Sequence, residues 1–204
     1  MTKKGPTTRN SILDIAIRLA SSAGIGSLSI GKLAKHAKMS KSGVFAHFKS
    51  KEKLQIAVLD SVSQRFVSEV LAPAFKAPRG IPRMREIFKS WIGWHNGQDR
   101  FGGGCVLIAA ASEFDDIKGP IQEHVQKIHR DLIDALEYSA KTGVEEGHFR
   151  SNLNCKQFAW SLYSHMLGYH LFSRLLKDPT AEKRLRRSFN IMLRNAQTKR
   201  NLNL

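Results

Sequence analysis

The sequence predicts an all-α fold in two parts, a small three-helix unit at the N-terminus followed by a larger helical unit. Three observations carry that expectation. Apolar residues recur at helical spacing from Ile12 onward, with no convincing β alternation and no internal repeat. Two short apolar-patterned segments stand almost back to back in SIGKLAKHAKMSKSGVFAHF, Ser29 to Phe48, which is how a helix-turn-helix reads in sequence. The length, 204 residues, is enough to bury a core in one small domain and one larger one.

The first helix is set by Ile12, Leu13, Ala16, Leu19, Ala20 and Ala23, which recur at helical spacing until Gly24 and Gly26 break the pattern. Ser29 then stands as N-cap to a second helix. Its Ile30, Leu33, Ala34 and Ala37 follow i, i+3, i+4, i+7, with Lys32, Lys35, His36 and Lys38 on the opposite face. Ser40 offers the cap of a third, short helix running to about Ala46. The second helix is too small to bury itself and must lean on the first, which gives the three helices one shared apolar seam.

On the third helix Lys41, Ser42, Gly43, Ala46 and His47 are directed to the surface, and the small side chains among them let a helix approach a groove closely. Lys49-Ser50-Lys51-Glu52-Lys53 follows directly. Ser50 caps a further helix whose free backbone N–H groups, with Lys51 beside them, suit a phosphate oxygen. Each of these serines also reads as a cap and nothing more, and the lysines as a solvated face. Taken together, cap, apolar stripe, tight turn, cap and basic run stand in the order that a DNA-reading helix pair requires.

Beyond this unit one helix follows another. Leu54, Val58, Val62, Phe66 and Val70 stripe a segment from Lys51 to about Leu71, after which Pro73, Pro78, Gly80 and Pro82 punctuate the chain. The segment from Met84 to about His95 carries Ile87, Phe88, Trp91 and Ile92 and ends at Asn96-Gly97. Gly102-Gly103-Gly104 lacks the lysine of a phosphate loop and is expected to serve as a hinge or a point of close packing. Cys105 to about Glu113 is short and strongly apolar, and burial on every side is expected of it. Glu113, Asp115 and Asp116 have no histidine at ligand spacing, and the helix start at Gly119-Pro120 accounts for them through its positive dipole end.

Ile121, Val125, Ile128, Leu132, Ala135 and Leu136 stripe the next segment, from Pro120 to about Lys141, with Gly143 expected to close it. His124 and His129, like His165 and His170, are five residues apart, not the three or four that put ligands on one helical face, so no metal site is expected. No serine, histidine and acid grouping with a nucleophile signature is visible, and no catalytic residue is assigned. Phe158 to Leu176 leaves almost no polar face. A helix apolar all round must be covered all round, and a second copy of the chain is the economical cover. Asp178-Pro179 begins a last helix with Leu185, Phe189, Met192, Leu193 and Ala196 on one side.

Charge points to a polyanionic partner. There are 33 Lys and Arg against 17 Asp and Glu, a formal net charge of +16. Residues 1–60 hold 11 basic and 3 acidic residues, whereas residues 61–181 hold 15 and 13, so the excess sits with the helix pair. A further 7 basic against 1 acidic falls in residues 182–204, with Lys183, Arg184, Arg186 and Arg187 clustered; a solvated face and a second nucleic-acid contact both fit that tail. Cys105 and Cys155 make no disulfide framework, the polar and basic stretch Met1 to Pro6 is no secretory signal, and no apolar run approaches the length of a membrane span. A reducing, cytoplasmic setting is the expectation, without membrane partners and without a cofactor.

At the helix pair the chain resembles the TetR family of transcriptional regulators. The resemblance runs from Arg9-Asn10-Ser11-Ile12-Leu13 through Ala20-Ser21-Ser22-Ala23-Gly24, Ser27-Leu28-Ser29-Ile30, Leu33-Ala34 and Ser40-Lys41-Ser42 to Phe45-Ala46-His47-Phe48-Lys49-Ser50-Lys51-Glu52-Lys53-Leu54, about the first quarter of the sequence. It implies a DNA-binding domain over residues 1–53 and a helical effector-binding and dimerisation domain over 54–204. By position, Ser29, Ser40 and Lys51 would contact phosphates, with Lys41, Ser42, Gly43 and His47 on or near the groove-facing helix. Phe45 stands where the family usually has tyrosine, so a hydroxyl bond to phosphate is missing, and Lys38 stands where a turn glycine is common.

The resemblance further implies that the last two helices pair with their symmetry mates in a homodimer and set two reading heads on a palindromic operator. It implies a small, mainly hydrophobic effector whose binding changes the separation of the heads. Phe88, Trp91, Trp94, Cys105, Phe114, His165, Tyr169 and Phe172 are candidates for lining its cavity, and each also reads as plain core. The expected function is that of a ligand-responsive, sequence-specific regulator, a repressor of double-stranded DNA targets and not an enzyme. Two alternatives stay open on the residues alone: a helical small-molecule-binding protein or enzyme whose basic domain docks to an acidic partner, and an architectural DNA-packing protein.

Overall fold

A computed structural model of the protein describes residues 5–97 and 102–198, and its regular elements there are helices, with an isolated antiparallel bridge between Phe149 and Gln197. The order is α1 (Gly5–Ala23), α2 (Ile30–Ala37), α3 (Lys41–Phe48), α4 (Lys51–Phe66), a π-helical turn (Val67–Leu71), α5 (Ala72–Lys76), α6 (Ile81–Asn96), α7 (Val106–Glu113), α8 (Pro120–Glu145), α9 (Cys155–His170), a second π-helical turn (Leu171–Leu175) and α10 (Ala181–Ala196). The chain divides into two compact units, Met1–Val67 with His95–Ile128, and Ser68–Trp94 with His129–Leu204. The end of the basic tail, residues 199–204, lies outside the described residues, as does the start of the chain.

In the first unit Ile12, Leu13, Ala16, Ile17 and Ala20 of α1 are buried with Leu33 and Ala34 of α2, Val44 and Phe48 of α3, and Leu54 and Val58 of α4. That is the shared seam the helical spacing requires. The turn between α2 and α3 is made by Lys38 in the left-handed region, φ 52°, whose N–H reaches the carbonyls of Ala34 and Lys35. Lys38 thus takes the left-handed conformation that glycine adopts without strain, at about 1 kcal/mol for a side chain there. Lys49, φ 62°, ends α3 in the same half of conformational space.

Three features differ from the sequence expectation. Pro73 does not interrupt the chain, which stays helical to Lys76, because proline within the first turn of α5 needs no N–H partner. Helix α7 is not buried on every side: Val106, Leu107 and Ala110 are buried, while Ala109 and Ser112 are exposed. Alanine is apolar but small, and its presence alone does not require cover. Helix α8 runs through Gly143 to Glu145. A Cβ on Gly143 would come within 2.4 Å of the Phe149 ring, so this glycine makes room for the returning chain and does not stop the helix.

In the second unit Met84, Ile87, Phe88, Trp91 and Ile92 of α6 are buried along with Leu136 and Ala140 of α8, Phe158, Leu162 and Met166 of α9, and Leu185, Phe189 and Leu193 of α10. The Phe88 and Phe189 rings stack with centroids 3.8 Å apart. Phe149 lies against Phe158 at 5.6 Å. Lys177, φ 52°, ends the helical run after Leu176, and Asp178 then accepts bonds from the Thr180 N–H at 2.8 Å and its hydroxyl at 2.7 Å ahead of α10.

Candidate nucleic-acid interface

The three serines at the starts of α2, α3 and α4 are all N-caps. Ser29 Oγ accepts the Lys32 N–H, Ser40 Oγ the Gly43 N–H and Ser50 Oγ the Lys53 N–H, each at 3.1 Å. A hydroxyl that accepts in a cap still carries its own hydrogen, so a cap retains a donor for a phosphate oxygen. Ser40 Oγ also lies 3.1 Å from Ser42 Oγ.

On α3 the burial pattern sorts the residues by face. Val44 and Phe48 are buried in the seam, and Gly43 and His47 are half-buried. Lys41, Ser42, Phe45 and Ala46 are exposed, a stripe that widens the surface set to include the phenylalanine. Space around Gly43 is tight, since a Cβ there would stand 3.1 Å from Ser40 Oγ. Lys49 is exposed beyond the helix and Lys51 opens α4 in an exposed position. The guanidinium of Arg9 lies over the Phe48 ring, 5.3 Å from its centroid, and Arg65 pairs with Asp14.

Two residues that the pattern of the sequence does not assign hold the loop between α1 and α2. The Glu113 carboxylate accepts the Ile25 N–H at 2.9 Å and the Gly26 N–H at 2.7 Å. Buried Gln55 donates to the Ile25 carbonyl at 2.9 Å. The dipole of the helix start at Pro120 is therefore not the explanation for Glu113. Gly103 and Gly104 approach the same helix end: Ser21 Oγ donates to the Gly104 carbonyl at 2.7 Å, and a Cβ on Gly103 would lie 2.0 Å from the Ser21 carbonyl oxygen. Within the glycine triplet Gly103 packs closely, whereas a Cβ on Gly102 would meet nothing within 4 Å.

The candidate pocket residues are distributed over both units. Cys105 and Phe114 are buried in the first. Phe88, Trp91, Trp94 and Tyr169 are buried in the second, where Trp91 tilts against Tyr163 at 6.0 Å. His165, Tyr169 and Phe172 come together in a groove of about 470 Å³ between α9 and α10 that Arg184, Arg187 and Ser188 also line. His165, whose Nδ1 is buried without a hydrogen-bond partner, lines a neighbouring groove of about 410 Å³ as well. Phe172 itself is 48% exposed. It belongs to a larger apolar face with Trp160, Leu167, Leu171, Leu175, Leu176 and Ile191.

His124 and His129 have other partners. His124 Nε2 lies 2.7 Å from Asp60 Oδ1, and His129 bonds the Tyr163 hydroxyl. Burial, with Arg174 adding to it, holds the His170 imidazole below its ordinary pKa, and burial raises the Cys155 thiol. Among the described residues no three His, Cys, Asp or Glu side chains are grouped to hold a metal ion, and no helix is long and apolar enough to cross a membrane.

Two family models match successive parts of the chain. That of bacterial regulatory proteins of the tetR family matches residues 12–58, and that of the tetracyclin repressor-like C-terminal domain matches residues 80–189. The HTH-type transcriptional regulator AcrR of Shigella flexneri is 45% identical over 47 residues, 23% of this chain and 22% of that protein, so the match spans about a fifth of this relative. A TetR family transcriptional regulator from Cytophaga hutchinsonii has the same fold, with a TM-score of 0.82 at 20% identity over 98% of this chain and 99% of that one. AibR, solved with isovaleryl coenzyme A and operator DNA, superposes with a TM-score of 0.67 at 20% identity, covering 93% of this chain and 98% of its own. The chain belongs to the TetR family of transcriptional regulators.

Proposed function

We propose that the protein is a homodimeric repressor that binds a palindromic operator through α2 and α3 and leaves it when a small apolar effector binds. The observation that carries this is the exposed stripe of α3, set between two capped turns and flanked by Lys38, Lys49 and Lys51. A short helix presented in this way fits the major groove, and the cations around it fit the phosphates on either side. Within it Ser29, Ser40 and Lys51 hold phosphates, while Lys41, Ser42, Gly43, Phe45 and His47 face the groove.

The apolar face of α9, the π-helical turn after it and α10 supports pairing with a second copy. The relative crystallised with both an acyl coenzyme A and operator DNA supports an effector that carries hydrocarbon. Phe88, Trp91, Cys105, Phe114, His165, Tyr169 and Phe172 remain the candidates for contacting it. The protein acts by binding, in the cytoplasm, and catalyses no reaction.

The test is selection of bound sequences from random duplex DNA by the purified protein at near-physiological salt. A palindrome with half-sites about one helical turn or more apart is expected. Binding that enriches no sequence would overturn the proposal in favour of an architectural role, and no binding at all would favour an acidic protein partner.

A further inference from the structure

We infer that the second turn of α3 reads thymine methyl groups and that Phe45 sets this preference. The inference rests on the operator-binding function proposed above and states what the operator contains. The exposed residues of α3, Lys41, Ser42, Phe45 and Ala46, stand at i, i+1, i+4 and i+5 and form one stripe. Its first turn is polar and its second is apolar.

Phe45 is 51% exposed, whereas Val44 and Phe48, at 0% and 2%, fill the seam. The ring is therefore surplus to the core. It is also isolated among cations, since Lys41 and Lys49 stand four residues to either side and both are exposed. An apolar ring in a basic field is poorly matched to a hydrophobic protein surface and well matched to a polyanion that displays a hydrocarbon group.

A phenyl ring and a methyl group neither donate nor accept a hydrogen bond, so Phe45 and Ala46 cannot read the donor and acceptor pattern of a base edge. The apolar group that the major groove displays is the C5 methyl of thymine. One helical turn advances about 5.4 Å and one base pair about 3.4 Å. The thymine that meets Phe45 is thus one to two base pairs from the pair facing Lys41 and Ser42.

The experiment uses the full-length protein and the operator found by selection, with each thymine replaced in turn by deoxyuridine, which removes the methyl group alone. At one thymine step in each half-site the wild-type protein is expected to lose about fourfold in affinity, the value of one buried methyl. Phe45→Ala binds thymine and uracil there equally, and Phe45→Tyr, which keeps the ring, retains the discrimination. Indifference of the wild type to every uracil substitution overturns the inference, as does an undiminished methyl effect in Phe45→Ala. Failure to enrich any operator would overturn the proposed function and this inference with it, whereas an enriched operator without methyl dependence overturns this inference alone.

Discussion

Oε1 of Glu113 sits 2.7 Å from the amide nitrogen of Gly26, while Oε2 takes the neighbouring N–H of Ile25. A Cβ on Gly26 would lie 2.2 Å from that same Oε1, so the carboxylate occupies the space a side chain would need. Glu113→Ala leaves two loop donors without their acceptor, at about 2 kcal/mol. The expected result is a lower urea midpoint with an unchanged slope, and Glu113→Gln, with a single acceptor oxygen, should restore part of it. A wild-type midpoint in the alanine variant would mean that water serves the loop equally well.

Lys51 is exposed at the first position of a capped helix, where a cation and free N–H groups face the same anion. Lys51→Ala should weaken binding to all duplexes alike and reduce the slope of log affinity against log salt by about 0.9 per copy. The selected sequence should not change. Substitution of Lys41 or His47 should change it, and a Lys51 variant with altered sequence preference would move that residue from the phosphates to the bases.

Leu175 is 72% exposed and Trp160 62%, while Phe158, Leu162 and Met166 of the same helical run are buried. Leu175→Glu places a charge where a second copy is proposed to cover hydrocarbon. Self-association should weaken by at least about tenfold, or about 1.4 kcal/mol, while helical circular dichroism is unchanged. Sedimentation equilibrium reads the difference, and an undisturbed dimer would put the pairing face elsewhere.

His170 gives stability a pH dependence of definite sign. Burial and then Arg174 lower its pKa from 6.5, so the unfolded chain takes up this proton first as the solution is acidified. The stability that depends on neutral His170 is whole above that unfolded value and is lost as pH falls through the lowered folded one. Melting temperatures of His170→Gln should therefore fall less than those of the wild type between about pH 7.5 and about pH 5.5. Equal falls would assign the acid sensitivity to other groups.

The reading head is legible from local rules because its information is local. A serine before an apolar stripe is a cap whatever surrounds it, and Ser29, Ser40 and Ser50 each take the N–H three residues on. The exposure of Phe45 is less legible, since aromatic residues on a short helix are ordinarily counted as core. Glu113 and Gln55 act on a loop 87 and 30 residues away in the chain, and nothing in their own neighbourhoods announces it. Gly143 reads as a helix end until Phe149 is known to lie against it. The proposed effector contacts are the extreme case, because an aromatic residue that lines a cavity and one that fills a core follow the same spacing.

Helix α3 is bracketed by Lys38 and Lys49, both at positive φ where glycine would sit without strain. Two glycines there would relieve that strain and leave the head less charged by two units per copy. The present residues favour the opposite balance, a slightly less stable head with more cation beside the backbone of any duplex it meets. That balance bears on search time. Cations that hold the head to arbitrary DNA let it slide and hop along the duplex, so the doubly glycine-substituted protein should melt higher and take longer to find an operator embedded in a long duplex.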